Sequence, residues 1–354
     1  MKNKKAVRIA VTASCTDLLN QAQELAIRLG LPMESSKGIC AAGTDATEQE
    51  RLLLKVTDKG LELLKPDDAE MKGAVRVDFT AGRAVFRRKQ QKKELLVRAV
   101  EGKGAASLNI IDATGGLGRD GFLLAAAGHQ VSIFEREPII ATLLADGLER
   151  AVNHPETAVV CQRIMLTAGD AVSALKAMQN IGTDEEGKGS VDIVYLDPMF
   201  PARRKSALVK KELQLLQLLA RSDSAPEQLL KAALQVATRR VVVKRPVKAP
   251  FLADGSPSYS LSGKTVRFDV YLGGGGFFCR GDWVWGGGKR PPPAVNDNLR
   301  VLGGGGWGGG AVAGAGGWTG GGSPPRGGGA GGAGVGGVGG GGGGGGGQGG
   351  GGGG

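Results

Sequence analysis

The stretch from Ile111 to Asp120 constrains the fold of this chain more than any other. An apolar run ends in an acid, and the chain then turns through Gly115, Gly116 and Gly118. This order is typical of a buried strand that leads through a tight turn into a helix, because glycine lets the backbone approach a ligand without a Cβ in the way. The first N–H groups of such a helix can bind oxygen atoms of the ligand. The stretch therefore predicts a cofactor site at this turn.

The chain around this turn alternates short apolar runs with helical patterns. Strands are predicted at 108–111, 130–134, 164–167, 191–196, 240–244 and 266–272. Strands separated by helices favour an α/β fold with a parallel sheet and helices on both faces. Earlier in the chain, a helix is predicted at 18–29 among strands at 7–11, 52–56, 61–64 and 75–79. These elements predict a small α+β unit ahead of the α/β unit.

Composition separates a tail from these two units. Of the 64 glycines, 44 lie from Gly273 onward, and all four tryptophans lie there too. We expect a small N-terminal α+β domain over 1–92, an α/β domain over 93–272 and a disordered tail over 273–354. The tail drifts into homopolymeric glycine instead of interleaving arginine with aromatic residues, which favours an artefactual extension over a glycine-rich RNA-binding segment.

The charge balance is basic. Of the formal net charge of +11, the part before Gly273 carries +8, because the tail holds five Lys or Arg and two Asp. Such a surplus suits an anionic partner such as nucleic acid, although it also serves solubility. The four cysteines form no CxxC pair, and no run approaches the ~20 apolar residues of a membrane span. We therefore expect a soluble, cytoplasmic protein without a metal site or a membrane span.

Two cofactors fit the glycine turn. Residues 116–121 match the GxGxxG pattern of dinucleotide sites, and Glu135 lies 19 residues after Gly116, where an acid meets a ribose hydroxyl. Carboxylates beside the turn would repel a pyrophosphate, but they attract the sulfonium and ammonium groups of S-adenosylmethionine (SAM). Asp112 and Asp120 therefore favour SAM over a nicotinamide dinucleotide, unless Asp120 only caps the helix.

Further cofactor contacts are predicted where the next strands end. Glu135 suits both ribose hydroxyls, and Arg136 can hold that carboxylate or cover the adenine. Gly169 and Asp170 can meet the adenine edge; the alternative for Asp170 is a helix N-cap. The predicted cofactor-binding residues are Asp112, Gly115, Gly116, Gly118, Arg119, Asp120, Glu135, Arg136, Gly169, Asp170 and Asp197.

The run Asp197-Pro198-Met199-Phe200-Pro201 follows the strand predicted at 191–196, at the same edge of the sheet as the glycine turn. It resembles the (Asp/Asn)-Pro-Pro-(Tyr/Phe) motif of amino-group methyltransferases. An exocyclic amine on a base is a poor nucleophile because its lone pair is delocalised into the ring. Asp197 and the Pro198 carbonyl can accept its N–H protons and localise that lone pair, while Phe200 stacks on the base. We predict Asp197, Pro198 and Phe200 as catalytic residues; the alternative is a structural turn.

Basic residues cluster before the glycine turn, directly after the run at 197–201 and at the end of the strand predicted at 240–244. They suit the phosphates of an extended anionic substrate, although a charged run is also typical of a solvated helix face. The predicted RNA-binding residues are Arg87, Arg88, Lys89, Arg203, Lys205, Lys210, Lys211, Lys244 and Arg245.

Taken together, these runs resemble one family, the bacterial small-subunit ribosomal RNA (guanine-N2)-methyltransferases, or RsmJ family. The resemblance covers about residues 7 to 272. It rests on the runs at 75–79, 87–89, 112–120, 195–201, 205–212, 241–246 and 267–271, among which Asp-Pro-Met-Phe-Pro and Lys-Ser-Ala-Leu-Val-Lys-Lys are not general methyltransferase features.

This resemblance implies a Rossmann-like class I SAM-dependent methyltransferase fold and methyl transfer to a guanosine of ribosomal RNA. It implies cofactor contacts at Arg119, Asp120, Glu135, Arg136 and Asp197. The expected partner is ribosomal RNA or the small ribosomal subunit. Rival hypotheses are an amino methyltransferase acting on DNA or protein, a non-catalytic RNA-binding or ribosome-assembly factor, and a nicotinamide-dependent oxidoreductase.

Overall fold

The structure is a computed structural model that describes residues 7–34, 50–66, 73–102, 104, 107–179, 190–198, 211–219, 226–253 and 255–273. Phe200, Arg203, Lys205, Lys210 and the tail from residue 274 lie outside the described residues, as do the side chains of Arg83 and of residues 211–213.

The N-terminal part forms a three-stranded sheet in the order β1-β2-β3. Its strands are β1 (Val7–Ala13), β2 (Glu50–Thr57) and β3 (Gly60–Leu64). β1 and β2 are parallel, and β2 and β3 form an antiparallel hairpin. Helix α1 (Leu19–Leu29) buries one apolar face and ends at Gly30, whose φ of 64° is the left-handed conformation that glycine favours. These elements correspond to the helix predicted at 18–29 and the strands predicted at 7–11, 52–56 and 61–64.

The prediction of a strand at 75–79 was wrong, because Val75 is the one residue of this segment that forms a β-bridge, and its partner is Leu63. The Asp78 carboxylate accepts the Thr80 N–H at 2.9 Å and turns the chain. The Val77 carbonyl accepts a hydrogen bond from Arg150, and the Phe79 ring stacks on Phe122 at 4.3 Å between centroids. The segment thus contacts the α/β unit and does not extend the small sheet.

The basic run that follows is helical. Helix α2 (Gly82–Lys89) continues into a 3₁₀ turn at Gln91–Lys93 and then into α3 (Leu95–Glu101). Helix α2 was not predicted from the sequence.

A seven-stranded sheet forms the main part of the protein, in the order β6-β5-β4-β7-β8-β10-β9. Its strands are β4 (Asn109–Asp112), β5 (Gln130–Glu135), β6 (Ile164–Ala168), β7 (Ile193–Leu196), β8 (Arg240–Pro246), β9 (Tyr259–Ser262) and β10 (Val266–Leu272). Strands β4 to β8 are parallel, as predicted. β10 is antiparallel to β8 and β9 is antiparallel to β10, which the sequence interpretation missed. No helix is described between β8 and β10, and a parallel connection requires such a crossover.

Helices cover both faces of this sheet. They are α4 (Arg119–Ala126), α5 (Pro138–Val152), α6 (Ala158–Cys161), α7 (Ala171–Gln179), α8 (Lys211–Leu219) and α9 (Pro226–Val236). Neighbouring residues of one strand serve opposite faces: Ile110 joins the core with α3, α4, α5 and α8, and Ile111 joins the core with α7 and α9. The predicted doubly covered α/β architecture is confirmed.

The first of these cores is continuous with that of the small sheet, because both belong to one cluster of buried side chains. Helix α5 connects the small sheet to the large one. Its Asp146 accepts the Leu61 N–H of β3 at 3.1 Å, and its Gly147 lies so close to Val77 that an added Cβ would be 2.4 Å from Val77 Cγ1.

Candidate active site

The glycine turn lies tightly against strand β5. The Gly115 N–H donates to the Phe134 carbonyl at 2.8 Å, and a Cβ at Gly115 would be 2.5 Å from Ile133 Cγ2. Gly118, with φ 71°, precedes the first residue of α4, and a Cβ there would be 2.4 Å from Leu144 Cδ1. Both glycines are therefore required by close approach.

Glu135 ends β5 and holds the turn from the side. One of its carboxylate oxygens accepts the Gly116 N–H at 2.7 Å and the other accepts the Glu137 N–H at 2.8 Å. Burial raises the pKa of this carboxyl above its ordinary value, against the effect of the two N–H donors. A carboxylate has about four acceptor positions, so Glu135 retains capacity for hydroxyl groups.

The end of β6 carries Gly169 and Asp170. Asp170 accepts both the Ser173 N–H, at 2.9 Å, and the Ser173 hydroxyl, at 2.8 Å. The structure thus shows the helix-capping role that was the alternative for Asp170. A Cβ at Gly169 would meet no atom within 4 Å, and one at Gly116 would meet only the Thr114 carbonyl, at 3.9 Å. Open space therefore borders both glycines beside Glu135.

Asp112 and Asp120 occupy different electrostatic surroundings. Burial, with the nearby Asp120 and Asp197, raises the pKa of Asp112 to about 7, although its carboxylate accepts the Thr114 N–H at 3.1 Å. Asp120 accepts from Arg87 and from the Tyr195 hydroxyl at 2.8 Å each, and from Lys244 at 2.7 Å. Although burial opposes it, the two cations hold the pKa of Asp120 far below its ordinary value. Asp120 is thus an ionised, internally neutralised group, and the expectation that it attracts a cofactor cation needs correction.

Asp197 and Pro198 follow β7 directly opposite the glycine turn. The Asp197 N–H donates to the Thr114 hydroxyl at 2.6 Å, and Oδ2 of Asp197 accepts from Lys244 at 2.7 Å. The Asp197 side chain remains 39% exposed. Its pKa lies above the ordinary value because surrounding protein and the Asp120 charge outweigh the Lys244 ammonium. The two loops therefore face each other, with one partly accessible carboxylate between them.

Sequence reasoning missed Thr114 and Tyr195 as parts of this site. The signal was available for Tyr195, because residues two apart on a strand share a face and Asp197 is two residues further on. Thr114 lies inside the glycine turn but carried no pattern of its own.

Several basic side chains predicted to contact RNA are held by the protein. Arg87 pairs with Glu94 and Asp120, Arg88 pairs with Glu156, and Lys244 pairs with Asp120 and Asp197. Arg245 is only 3% exposed and donates to the Pro250 carbonyl at 2.6 and 3.0 Å. Their expected position as open cations on a rim is therefore corrected, most clearly for Arg245. Lys89 is exposed on α2, and Lys211 begins α8.

Within the described ranges, no group of three or more His, Cys, Asp or Glu side chains is arranged to hold a metal ion. Among the helices of that same part of the chain, none is both long and apolar enough to cross a membrane.

Comparison with known proteins agrees with this geometry. A family model described as "Putative SAM-dependent methyltransferase" matches residues 39–273. A crystal structure of a SAM-dependent methyltransferase from Neisseria gonorrhoeae is 34% identical, with a TM-score of 0.55 over 76% of this chain and 97% of that chain. The fold and the match define the chain as a SAM-dependent methyltransferase with a Rossmann-like class I sheet.

Two relatives narrow the class. Ribosomal RNA small subunit methyltransferase J from Thioalkalivibrio sulfidiphilus is 43% identical over 269 residues, which cover 75% of this chain and 98% of that protein. The protein of the same name from Pseudomonas aeruginosa is 40% identical over 273 residues, covering 77% and 97%. The chain belongs to the ribosomal RNA small subunit methyltransferase J family, as the resemblance predicted.

The site residues fit the cofactor of this class. Glu135 has acceptor capacity beside open space, the turn exposes no side chain at Gly116, and Asp112 and Asp197 are carboxyl groups that a cationic ligand can ionise. This donor set suits an adenosine with a ribose diol and a cationic tail.

Proposed function

We propose that this chain transfers the methyl group of SAM to the exocyclic N2 amine of a guanosine in small-subunit ribosomal RNA. The observation that carries the proposal is the partly exposed Asp197 carboxylate, fixed opposite the glycine turn by the bond from its N–H to Thr114. Relatives of the same family are named for ribosomal RNA of the small subunit. We also propose that the protein acts in the cytoplasm on this RNA or on the assembling subunit.

When bound, SAM supplies an electrophilic methyl group. Glu135 would hold the ribose, the backbone of Gly115 and Gly116 would line the adenosine, and Asp112 would meet a cationic group. Arg119, Arg136, Gly169 and Asp170 remain proposed cofactor contacts, although Asp170 already caps α7.

The role of the protein in the chemistry is to orient the amine and to receive its proton. Asp197 and the Pro198 carbonyl accept the two N–H groups, so that the nitrogen lone pair points toward the methyl carbon. Formation of the nitrogen–carbon bond would be matched by cleavage of the carbon–sulfur bond of SAM, which would leave as a neutral thioether. The nitrogen then carries a positive charge, and one N–H proton passes to Asp197 and on to water. Phe200 is proposed to stack on the base.

The RNA surface is proposed to include α2, beside the site. Arg87 ties this helix to Asp120 at 2.8 Å. Phe86 is 61% exposed on the same helix, and Lys89 is also exposed. An exposed aromatic ring among cations suits an unpaired base and its phosphates. Further proposed contacts are Arg203, Lys205, Lys210, Lys211 and Arg88, although Arg88 pairs with Glu156 in the free protein.

The test replaces Asp197 with alanine. We expect Asp197→Ala to lose methyl transfer at saturating SAM by about 10²-fold or more, because the amine loses its acceptor. SAM should still bind in calorimetry, though more weakly, through Glu135 and the glycine turn. Asp58→Asn, in the exposed turn of the β2–β3 hairpin, is the matched control.

The substrate is tested in the same assay. Labelled SAM is offered with small ribosomal subunits, their naked RNA, DNA and protein, and the modified nucleoside is identified by mass spectrometry. N2-methylguanosine in the RNA supports the proposal. Near-normal turnover by Asp197→Ala contradicts the role of this carboxylate, and label in DNA or protein alone contradicts the substrate.

A further inference from the structure

Lys244 lies at the centre of the ion-pair network and is only partly exposed. It is part of β8, the strand next to β7, and its side chain is 25% exposed. Its Nζ lies 2.7 Å from Asp120 Oδ2 and 2.7 Å from Asp197 Oδ2. One ammonium group therefore joins the helix after the glycine turn to the loop opposite it.

The two oxygen atoms of the Asp197 carboxylate differ in their contacts. Oδ2 accepts from Lys244, whereas no described residue donates to Oδ1. An ammonium has three N–H donors and no acceptor, so Lys244 cannot compete with Asp197 for the protons of an amine. The oxygen opposite the lysine is the one left for a substrate.

Lys244 is itself held in place. Asp120, its second partner, is fixed by Arg87 and by the Tyr195 hydroxyl, each at 2.8 Å. Lys244 is therefore held through Asp120 of α4, whose own position is fixed from α2 and β7. A lysine bound to a carboxylate that is itself fixed can set the orientation of a neighbour more sharply than a solvated lysine can.

We propose that Lys244 is a positioning residue for methyl transfer: it turns the Asp197 carboxylate so that Oδ1 faces the amine, and it keeps that carboxylate ionised. The proposal rests on the proposed function, since it requires Asp197 to accept from the substrate. It removes Lys244 from the residues expected to bind RNA phosphates.

Charged groups from three other elements face Asp197 in the described part of the chain. Asp112 on β4 and Asp120 on α4 disfavour its negative charge, and Lys244 on β8 favours it. Tyr195 on β7 stays neutral, because burial and the surrounding carboxylates raise its pKa well above the ordinary value. Removing the only cation of this set leaves three carboxyl groups together, so the Asp197 carboxyl will hold its proton to a higher pH.

The experiment compares Lys244→Met and Lys244→Arg with Lys231→Met, an exposed lysine of α9 that serves as control. We expect Lys244→Met to lower kcat by about 10²-fold, the effect of a misplaced catalytic group. The acidic limb of its kcat–pH profile should move up by about one pH unit or more, since a cation within ion-pair distance lowers a carboxyl pKa by 1–3 units. Lys244→Arg should recover part of the rate and most of the profile, because it restores the charge, and Lys231→Met should match the wild type.

Asp197→Ala is measured in parallel to separate the two proposals. If Asp197→Ala is inactive while Lys244→Met keeps normal kcat and an unmoved acidic limb, the positioning role is overturned and the proposed function stands. If Asp197→Ala remains active, both fall. If Lys244→Met does not fold, the Lys244→Met/Asp120→Asn double variant removes one charge of each sign, and normal kcat in that variant would equally overturn the role.

Discussion

Replacement of Asp112 by asparagine should make the cofactor-free protein more stable, with a gain that grows from about pH 4 and is complete above about pH 7. The residue is 1% exposed, and its pKa is raised from 3.8 to about 7, chiefly by burial. The carboxyl therefore keeps its proton in the folded protein at pH values where the unfolded chain has lost it. Between pH 4 and 7 the native state binds more protons than the unfolded state, so the free energy of unfolding falls as the pH rises.

The size follows from the two pKa values. The gap of about 3 pH units, at 1.36 kcal/mol per unit, makes the full penalty about 4 kcal/mol above pH 7 and close to zero below pH 4. Asparagine cannot ionise, yet its oxygen can still accept the Thr114 N–H that Asp112 accepts. Asp112→Asn should therefore gain up to about 4 kcal/mol at pH 8, or roughly 10 °C in Tm for a domain of this size.

The assay is urea unfolding of both proteins without SAM at pH 4, 6 and 8. Asp58→Asn, whose carboxylate lies in an exposed turn, controls for the general effect of removing an acid. A stability difference between Asp112→Asn and the wild type that stays constant from pH 4 to pH 8 would refute the reasoning, because it would show that Asp112 does not titrate in this range.

Two further predictions concern the cofactor site. Gly115→Ala places a Cβ 2.5 Å from Ile133 Cγ2 and should lower the free energy of unfolding by about 1–3 kcal/mol. Gly169→Ala, whose Cβ meets no atom within 4 Å, is the control and should leave the urea midpoint unchanged. Equal midpoints for the two variants would contradict the close approach at Gly115. Glu135→Gln replaces the carboxylate that accepts the Gly116 N–H at 2.7 Å and should weaken SAM binding in calorimetry by about tenfold or more, the loss typical of a charged hydrogen bond, so an unchanged Kd would remove Glu135 from the site.

The central strands and the two loops were predictable because their signals are local. Apolar runs with an acid or glycine at the carboxyl end specify β4, β5 and β7, and parallel strands bring those ends to one edge of the sheet. The segment at 75–79 misled because an apolar alternation does not state its partner. Its side chains pack against Phe122 and helix α5, which lie far along the chain.

The electrostatics of the site could not be predicted in the same way. Asp120 and Lys244 are 124 residues apart in sequence and 2.7 Å apart in space. The sequence interpretation treated Asp120 as a free negative charge and Lys244 as a free positive charge, and it assigned each of them to a ligand. In the structure the two side chains bind each other. Sequence gives the sign of a charge, but its availability depends on the fold.

The contacts of helix α5 with the small sheet also limit which parts of the chain evolution can exchange. One face of this helix packs against the large sheet. On the same helix, Asp146 accepts the Leu61 N–H and Gly147 lies close against Val77, both from earlier in the chain. The small sheet is therefore not a module that recombination can exchange by itself. A chimaera cut near residue 92 would join two halves of one buried surface, so we expect the amino-terminal part and α5 to be inherited together.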